Sequence, residues 1–205
     1  MERHPDVPLW ICVGDLASST GRYPEPIAPL YWIKGNNEDF DRIAAWEAGR
    51  DPVPNLHLIP NGTSATVGPL QVAGVGGTFA PTWFDTPAGE LPPKTMDDKR
   101  RHFVREEVEA AKRLRGVDIL MTHEAPKPFI VTSPTRPGAA RRLDAGKPPI
   151  NELLATLEPR LHLCGHHHRF VEAEREGVRS VCIDRINRSY LLIDADTLDY
   201  EKVDQ

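Results

Sequence analysis

Four short apolar runs in this chain end alike, in a glycine or threonine followed by Asp, Asn or His. Leu9–Val13 leads into Gly14-Asp15, and Leu30–Ile33 into Gly35-Asn36-Asn37-Glu38. Val117–Met121 leads into Thr122-His123, and Leu161–Cys164 into Gly165-His166-His167-His168. Compact runs without polar alternation read as strands buried on both faces, the signature of parallel sheets. Such sheets bind ligands at the carboxyl ends of their strands, where these polar residues fall. Asp, Asn and His offer mixed oxygen and nitrogen donors suited to a divalent Mn, Fe or Zn ion. Glycine lets the backbone turn sharply there.

The remaining patterns alternate short strands with helices. Glu38–Ala48 has an amphipathic helical spacing closed by Gly49. Leu56–Ile59, Pro60-Asn61-Gly62, Ala65–Val67 and Leu70–Val75 read as a hairpin-like meander with Asn-Gly as its turn. Asp97–Arg115 carries the longest helical pattern, with Phe103, Val104, Val108, Ala111 and Leu114 on one face. Ala125–Pro149 is rich in Pro, Gly and Arg and reads as a long active-site loop. Ile150–Leu157 is a short helix, and Val178–Ile183 and Tyr190–Ile193 are further strands. No repeat or linker divides residues 1–205, so the expectation is one mixed α/β domain.

Composition narrows the function. The apolar fraction of 40% suffices for a core, and no apolar run approaches the ~18 residues of a membrane span. The polar start, Met1-Glu-Arg-His-Pro-Asp, carries no secretory h-region. A net charge of −5 argues against a surface that coats nucleic acid broadly. Cys12, Cys164 and Cys182 each sit in an apolar stretch without Cys-x-x-Cys spacing. They read as buried hydrophobes of a reducing, cytoplasmic protein. If Gly165-His-x-His stays extended, His166 and His168 fall on one side and His167 on the other.

The ordered set Gly-Asp, Gly-Asn-x-Glu, an isolated His after an apolar strand, and Gly-His-x-His resembles the calcineurin-like metallophosphoesterase superfamily. Asn55-Leu-His-Leu-Ile-Pro-Asn-Gly, Gly68-Pro-Leu-Gln-Val-Ala-Gly-Val-Gly-Gly and Asp118-Ile-Leu-Met-Thr-His-Glu-Ala-Pro place it nearest in layout to the RNA lariat debranching branch. The resemblance runs from about Leu9 onward and implies a four-layer α-β-β-α sandwich of mixed sheets. It implies that Asp15 bridges two metals, that Asn36, His123 and His166 complete one site, and that His168 serves the second. Such a centre polarises phosphoryl oxygens and activates water for in-line attack. The implied activity is phosphoesterase, more specifically phosphodiesterase. The substrate would be a small phosphate ester or a nucleotide or nucleic-acid end.

Two departures matter. Asn37 occupies the position where the family carries a catalytic histidine, and an amide donates a hydrogen bond without transferring a proton near neutrality. His57 and His167 are the candidate substitutes. The family's opening Asp-x-His motif, which supplies two ligands of the second metal, does not precede Asp15. His4 and Asp6 lie before the first strand, about nine extended residues or up to ~30 Å from Asp15, and are rejected as replacements. The chain is thus expected to lack its first βα unit. It is either an N-terminally short reading of an enzyme or a one-metal or inactive binding platform. Loss of a strand would expose a sheet edge open to self-association. Arg136, Arg141, Arg142 and Lys147 are candidates for a phosphate-facing lid. Among the aromatics of Phe79–Phe84, Trp83 could stack on a base, although packing is the simpler role.

Overall fold

Three parallel strands, β1 (Trp10–Cys12), β2 (Leu30–Trp32) and β3 (Leu56–Leu58), form one sheet in that order. A computed structural model describes residues 4–93, 98–136 and 139–205, with 132–136 and 139–142 described by their backbone alone. A second sheet contains β4 (Thr63–Val67), β5 (Leu70–Val75), β6 (Ile119–Thr122), β9 (Leu161–Cys164), β10 (Val171–Arg175) and β11 (Val178–Cys182). Its order is β10-β11-β9-β6-β5-β4, parallel through the centre with antiparallel strands at both edges. Two hairpins complete the described strands: β7 (Ile130–Arg136) with β8 (Ala139–Asp144), and β12 (Ser189–Ile193) with β13 (Tyr200–Asp204).

Strand alternation sorts side chains into layers. Val72, Ile119, Met121, Leu161 and Leu163 of the larger sheet point into one core with Ile33, Ile59, Ile11, Leu191 and Ile193. The opposite face sends Ala73, Val75 and Leu120 against α2 (Arg105–Ala111) and α3 (Pro148–Leu157). On the outer side of the three-stranded sheet, Trp32 packs on Phe40 and Ile43 of α1 (Phe40–Glu47). The order helix, sheet, sheet, helices is the expected α-β-β-α sandwich. Among the described residues no helix is long and apolar enough to cross a membrane. Cys164 and Cys182 are buried in register on neighbouring strands, while Cys12 is half-buried; all three are free thiols.

α1 starts two residues later than expected, because Asp39 caps it by accepting from the amides of Asp41 and Arg42, and it ends before Gly49, which has a φ of 70°. Three expectations need correcting. The helix expected over 97–115 shrinks to α2, with a 3-10 turn at Lys99–Arg101 before it. Thr78 claims the intervening backbone: its N–H donates to Arg101 O and its carbonyl accepts from Phe103 N. Phe103 is thereby buried against Phe79 and Phe84 in extended rather than helical backbone. The Asn61-Gly62 turn joins two sheets, not two strands of a hairpin, since β3 pairs with β2 and β4 with β5. Asn61 spends its side chain on Gly76, accepting from its N–H at 2.6 Å and donating to its carbonyl at 3.1 Å. The hairpin turn is Gly68-Pro69, between the paired Val67 and Leu70. Finally, the stretch read as a long loop contains the β7–β8 hairpin, closed at its base by Ala145 N–H to Phe129 O. The side chains of Arg136, Arg141 and Arg142 lie outside the described residues, and with them the lid contacts expected there.

Candidate metal centre

The strand ends converge because glycines let them. Gly14 and Asp15 both take positive φ, 102° and 56°, which turns the chain at the end of β1. A Cβ on Gly14 would lie 2.6 Å from His123 Nδ1, and one on Gly35 would lie 2.1 Å from Asp15 Oδ1. Neither position has room for a side chain. Asp15 is thereby pressed against the β2 loop: its Oδ1 accepts from the amides of Asn36 (2.8 Å) and Asn37 (2.9 Å), and its Oδ2 from Asn37 Nδ2 (3.0 Å). Burial pushes the Asp15 carboxyl upward, but the electrostatic pull of the neighbouring His123 imidazole and these three hydrogen bonds outweigh it and hold the group below its ordinary value. It is a carboxylate at neutral pH.

His123 is 1% exposed at the end of β6. Its Nδ1–H donates to Val13 O at 2.7 Å, since a carbonyl can only accept. Nε2 therefore presents a lone pair, 3.0 Å from Asn36 Oδ1 and 3.6 Å from Asp15 Oδ1. Burial lowers the His123 pKa, so the ring is neutral near pH 7. Three acceptors thus face one another, an arrangement that repels itself unless a cation sits among them. His166 joins them, with its ring centroid 5.0 Å from that of His123. Burial, and secondarily His123, lower its pKa to about 4, leaving it a neutral donor as well. The donor atoms of Asp15, His123 and His166 all lie within 4.8 Å of one another. These groups fit a divalent metal: deprotonated, neutral or anionic, and convergent.

His168 stands apart. The Gly165–His168 segment is not extended, for His166 and His168 both have positive φ, 63° and 51°. The parity expected to align them therefore does not operate. His168 Nδ1 accepts instead from Arg185 Nη2 at 2.9 Å. His167 stacks on Phe129 at 4.4 Å between centroids, with Nε2 3.9 Å from Glu124 Oε2. Glu124 is 3% exposed, accepts from Phe79 N, and lies 3.7 Å from Lys147 Nζ. Burial raises its pKa to about 7 and lowers that of His167 to about 3. His57 stacks on Tyr31 in the middle of β3 rather than at a strand end. His4 engages Tyr190 and Trp10 and not the cluster. Trp83 lies under the Lys99 ammonium at 5.6 Å.

Two residues beyond the expected set shape the centre. Glu38 accepts from Leu16 N and Gly35 N through Oε1 and from Ala17 N through Oε2, tying the β1 loop to the β2 loop. Its place in Gly-Asn-x-Glu was the available signal. Fully buried His162 lies on β9 between Thr122 and Ser180, beneath the ends that carry His123 and His166. A histidine within an apolar run gives no sequence sign of that position.

Two facing sheets with an Asp/Asn/His cluster at the carboxyl ends of their strands define an α/β protein built around a candidate metal centre. The family model for calcineurin-like phosphoesterases matches residues 2–170, and the chain belongs to that family. The family is one of phosphoesterases. The chain is 26% identical over 160 residues to the lariat debranching enzyme of Schizosaccharomyces pombe. That alignment takes in 72% of this chain and 34% of the debranching enzyme, so the chain spans about a third of that relative's length. Among solved structures, one aligns with a TM-score of 0.59 and 17% identity, over 87% of this chain and 66% of its own. The crystal structure of TT1561 of Thermus thermophilus aligns with a TM-score of 0.54 and 18% identity, over 86% of this chain and 72% of its own. Both share the fold.

Proposed function

We propose that the chain is a metal-dependent phosphodiesterase acting on a small phosphodiester or a nucleotide end. Asp15, Asn36, His123 and His166 would hold one divalent Mn, Fe or Zn ion, with His168 available toward a second. The observation that carries the reading is the set of facing acceptors, His123 Nε2, Asn36 Oδ1 and Asp15 Oδ1. A divalent ion bound there would polarise the phosphoryl oxygens and acidify water. The chain's own residues orient the rest. Val13 O fixes the His123 tautomer, and the amides of Asn36 and Asn37 fix the Asp15 carboxylate. Asn37 Nδ2 carries two protons, so one can hold Asp15 while the other donates to a phosphoryl oxygen.

A second reading, a one-metal binding platform on the same fold, is favoured by the engagement of His168 with Arg185 and by Asn37, which cannot protonate a leaving group. Metal analysis with a bis-p-nitrophenyl phosphate assay in Mn2+ separates the two. The enzyme reading expects Mn-dependent turnover that Asp15→Ala abolishes while circular dichroism stays unchanged. Metal uptake without turnover supports the platform, and the absence of both metal uptake and turnover refutes the enzyme.

A further inference from the structure

The segment after β11 enters the same edge of the sheet as the candidate centre. β11 runs parallel to β9, so residues 183–188 emerge beside Gly165–His168. The segment is firmly seated. Ile183 N donates to Cys164 O at 2.8 Å, and Arg185 O accepts from both Arg188 N and Ser189 N at 2.8 and 3.1 Å. Asp184 accepts from Arg185 N through Oδ1 and pairs with the Arg188 guanidinium through Oδ2 at 3.4 Å. The carboxylate nearest to Arg185 in sequence is thus committed to its neighbour. The Arg185 side chain reaches to His168 instead, where Nη2 donates to Nδ1 at 2.9 Å. A guanidinium carries five N–H donors in a planar fork, so this single bond to a ring nitrogen leaves most of the fork to other acceptors. The next residue, Ile186, is 69% exposed at the tip of the turn.

We infer that Arg185 is a substrate-binding residue that grips a non-bridging phosphate oxygen, with Ile186 offering an apolar contact to the organic group the phosphate carries. The inference rests on the phosphodiesterase reading above for its substrate class, though anion binding by Arg185 does not. An arginine fork matches the oxygens of a phosphate bidentately, which a lysine cannot do. Held by a hydrogen-bonded turn and tethered to His168, the fork lies beside the Gly165–His168 segment that also carries His166, so part of its geometry is set before an anion arrives.

The test uses the full chain and inorganic phosphate, with Mn2+ titrated separately. Arg185 is exposed, so Arg185→Met leaves packing intact. It is expected to weaken phosphate binding by roughly 10- to 100-fold, as loss of a charge-assisted hydrogen bond does. Arg185→Lys, keeping charge but losing the fork, should fall between. The KM for bis-p-nitrophenyl phosphate should rise with Arg185→Met more than kcat falls. Ile186→Ser should raise that KM and leave phosphate affinity unchanged; an unaltered KM removes Ile186 from the proposal. Unchanged phosphate affinity in Arg185→Met, or no phosphate binding by the wild type, overturns the role of Arg185. So does a parallel loss of Mn2+ affinity, which would assign Arg185 to holding His168 for a metal. If phosphate affinity responds as expected but the wild type hydrolyses nothing, the anion site stands and the phosphodiesterase reading fails.

Discussion

Acidification should reveal how tightly His162 holds the strand ends. Thr122 Oγ1 donates to Glu124 O at 2.6 Å, so toward His162 Nε2 at 2.8 Å it must accept. Nδ1 then accepts from Ser180 Oγ at 2.6 Å, and the ring is neutral with its proton on Nε2. Burial pushes the His162 pKa down to about 3, against ~6.5 in an unfolded chain. Because the folded value is the lower one, the contribution is complete above pH ~6.5 and is lost as pH falls toward the folded value. At pH 5, some 1.5 units below the unfolded value, the loss is ~2 kcal/mol at ~1.4 kcal/mol per unit. Glu124 works in the opposite sense. Burial raises it to about 7, so the folded state gains as pH falls from there toward the ordinary carboxylate range. The two partly cancel in the wild type, which is why a variant is needed. His162→Gln keeps one donor and one acceptor but does not titrate. Urea unfolding at pH 7 and pH 5 should show the wild type losing ~2 kcal/mol relative to His162→Gln. A gap between the two that stays constant within about 0.5 kcal/mol would refute a buried neutral ring.

Three other variants test the frame of the site. Glu38→Ala removes an acceptor that serves three backbone amides. It should cost about 2–3 kcal/mol of stability by urea titration and weaken Mn2+ binding, both measurable on the same preparation. Gly35→Ala places a methyl 2.1 Å from Asp15 Oδ1 and should lower stability by about 1–3 kcal/mol and Mn2+ affinity with it. Intact Mn2+ affinity there would show that Asp15 is not a ligand. Leu163→Ala empties a fully buried position between the sheets and should cost about 2–5 kcal/mol with an unchanged m-value.

How much was legible from sequence divides along physical lines. The strand ends at Asp15, Asn36, His123 and His166 were readable because apolar runs and glycines are local signals of buried strands and sharp turns. The layering followed, since those runs must be covered on both faces. The helix expected over 97–115 failed because its apolar period says nothing of Thr78, which captures the backbone at Phe103 from outside the segment. Asn61-Gly62 misled in the same way: the dipeptide permits a turn, but whether the next strand returns to the same sheet depends on distant pairing. At Gly165–His168 the residue types were right and the parity wrong, because two histidines take left-handed backbone that alternation cannot anticipate. Arg185 gave no signal, being placed by the β11–β9 pairing alone.

The hydrogen bond from His123 to Val13 O crosses between sheets, as do those of Asn61 with Gly76 and of Gly77 N–H with Lys34 O. Ligand geometry is therefore inseparable from the docking of one sheet on the other. An ion bound by the donor set would act as a rivet through that seam, and its apparent affinity would fall with the fraction of molecules in which the seam is open. By mass action, a metal at a hundred times its Kd adds about 2.7 kcal/mol to global stability. Chelation should accordingly speed amide hydrogen exchange first at Asn36, Asn37 and His123, on both lips of the seam, while the strand centres stay protected.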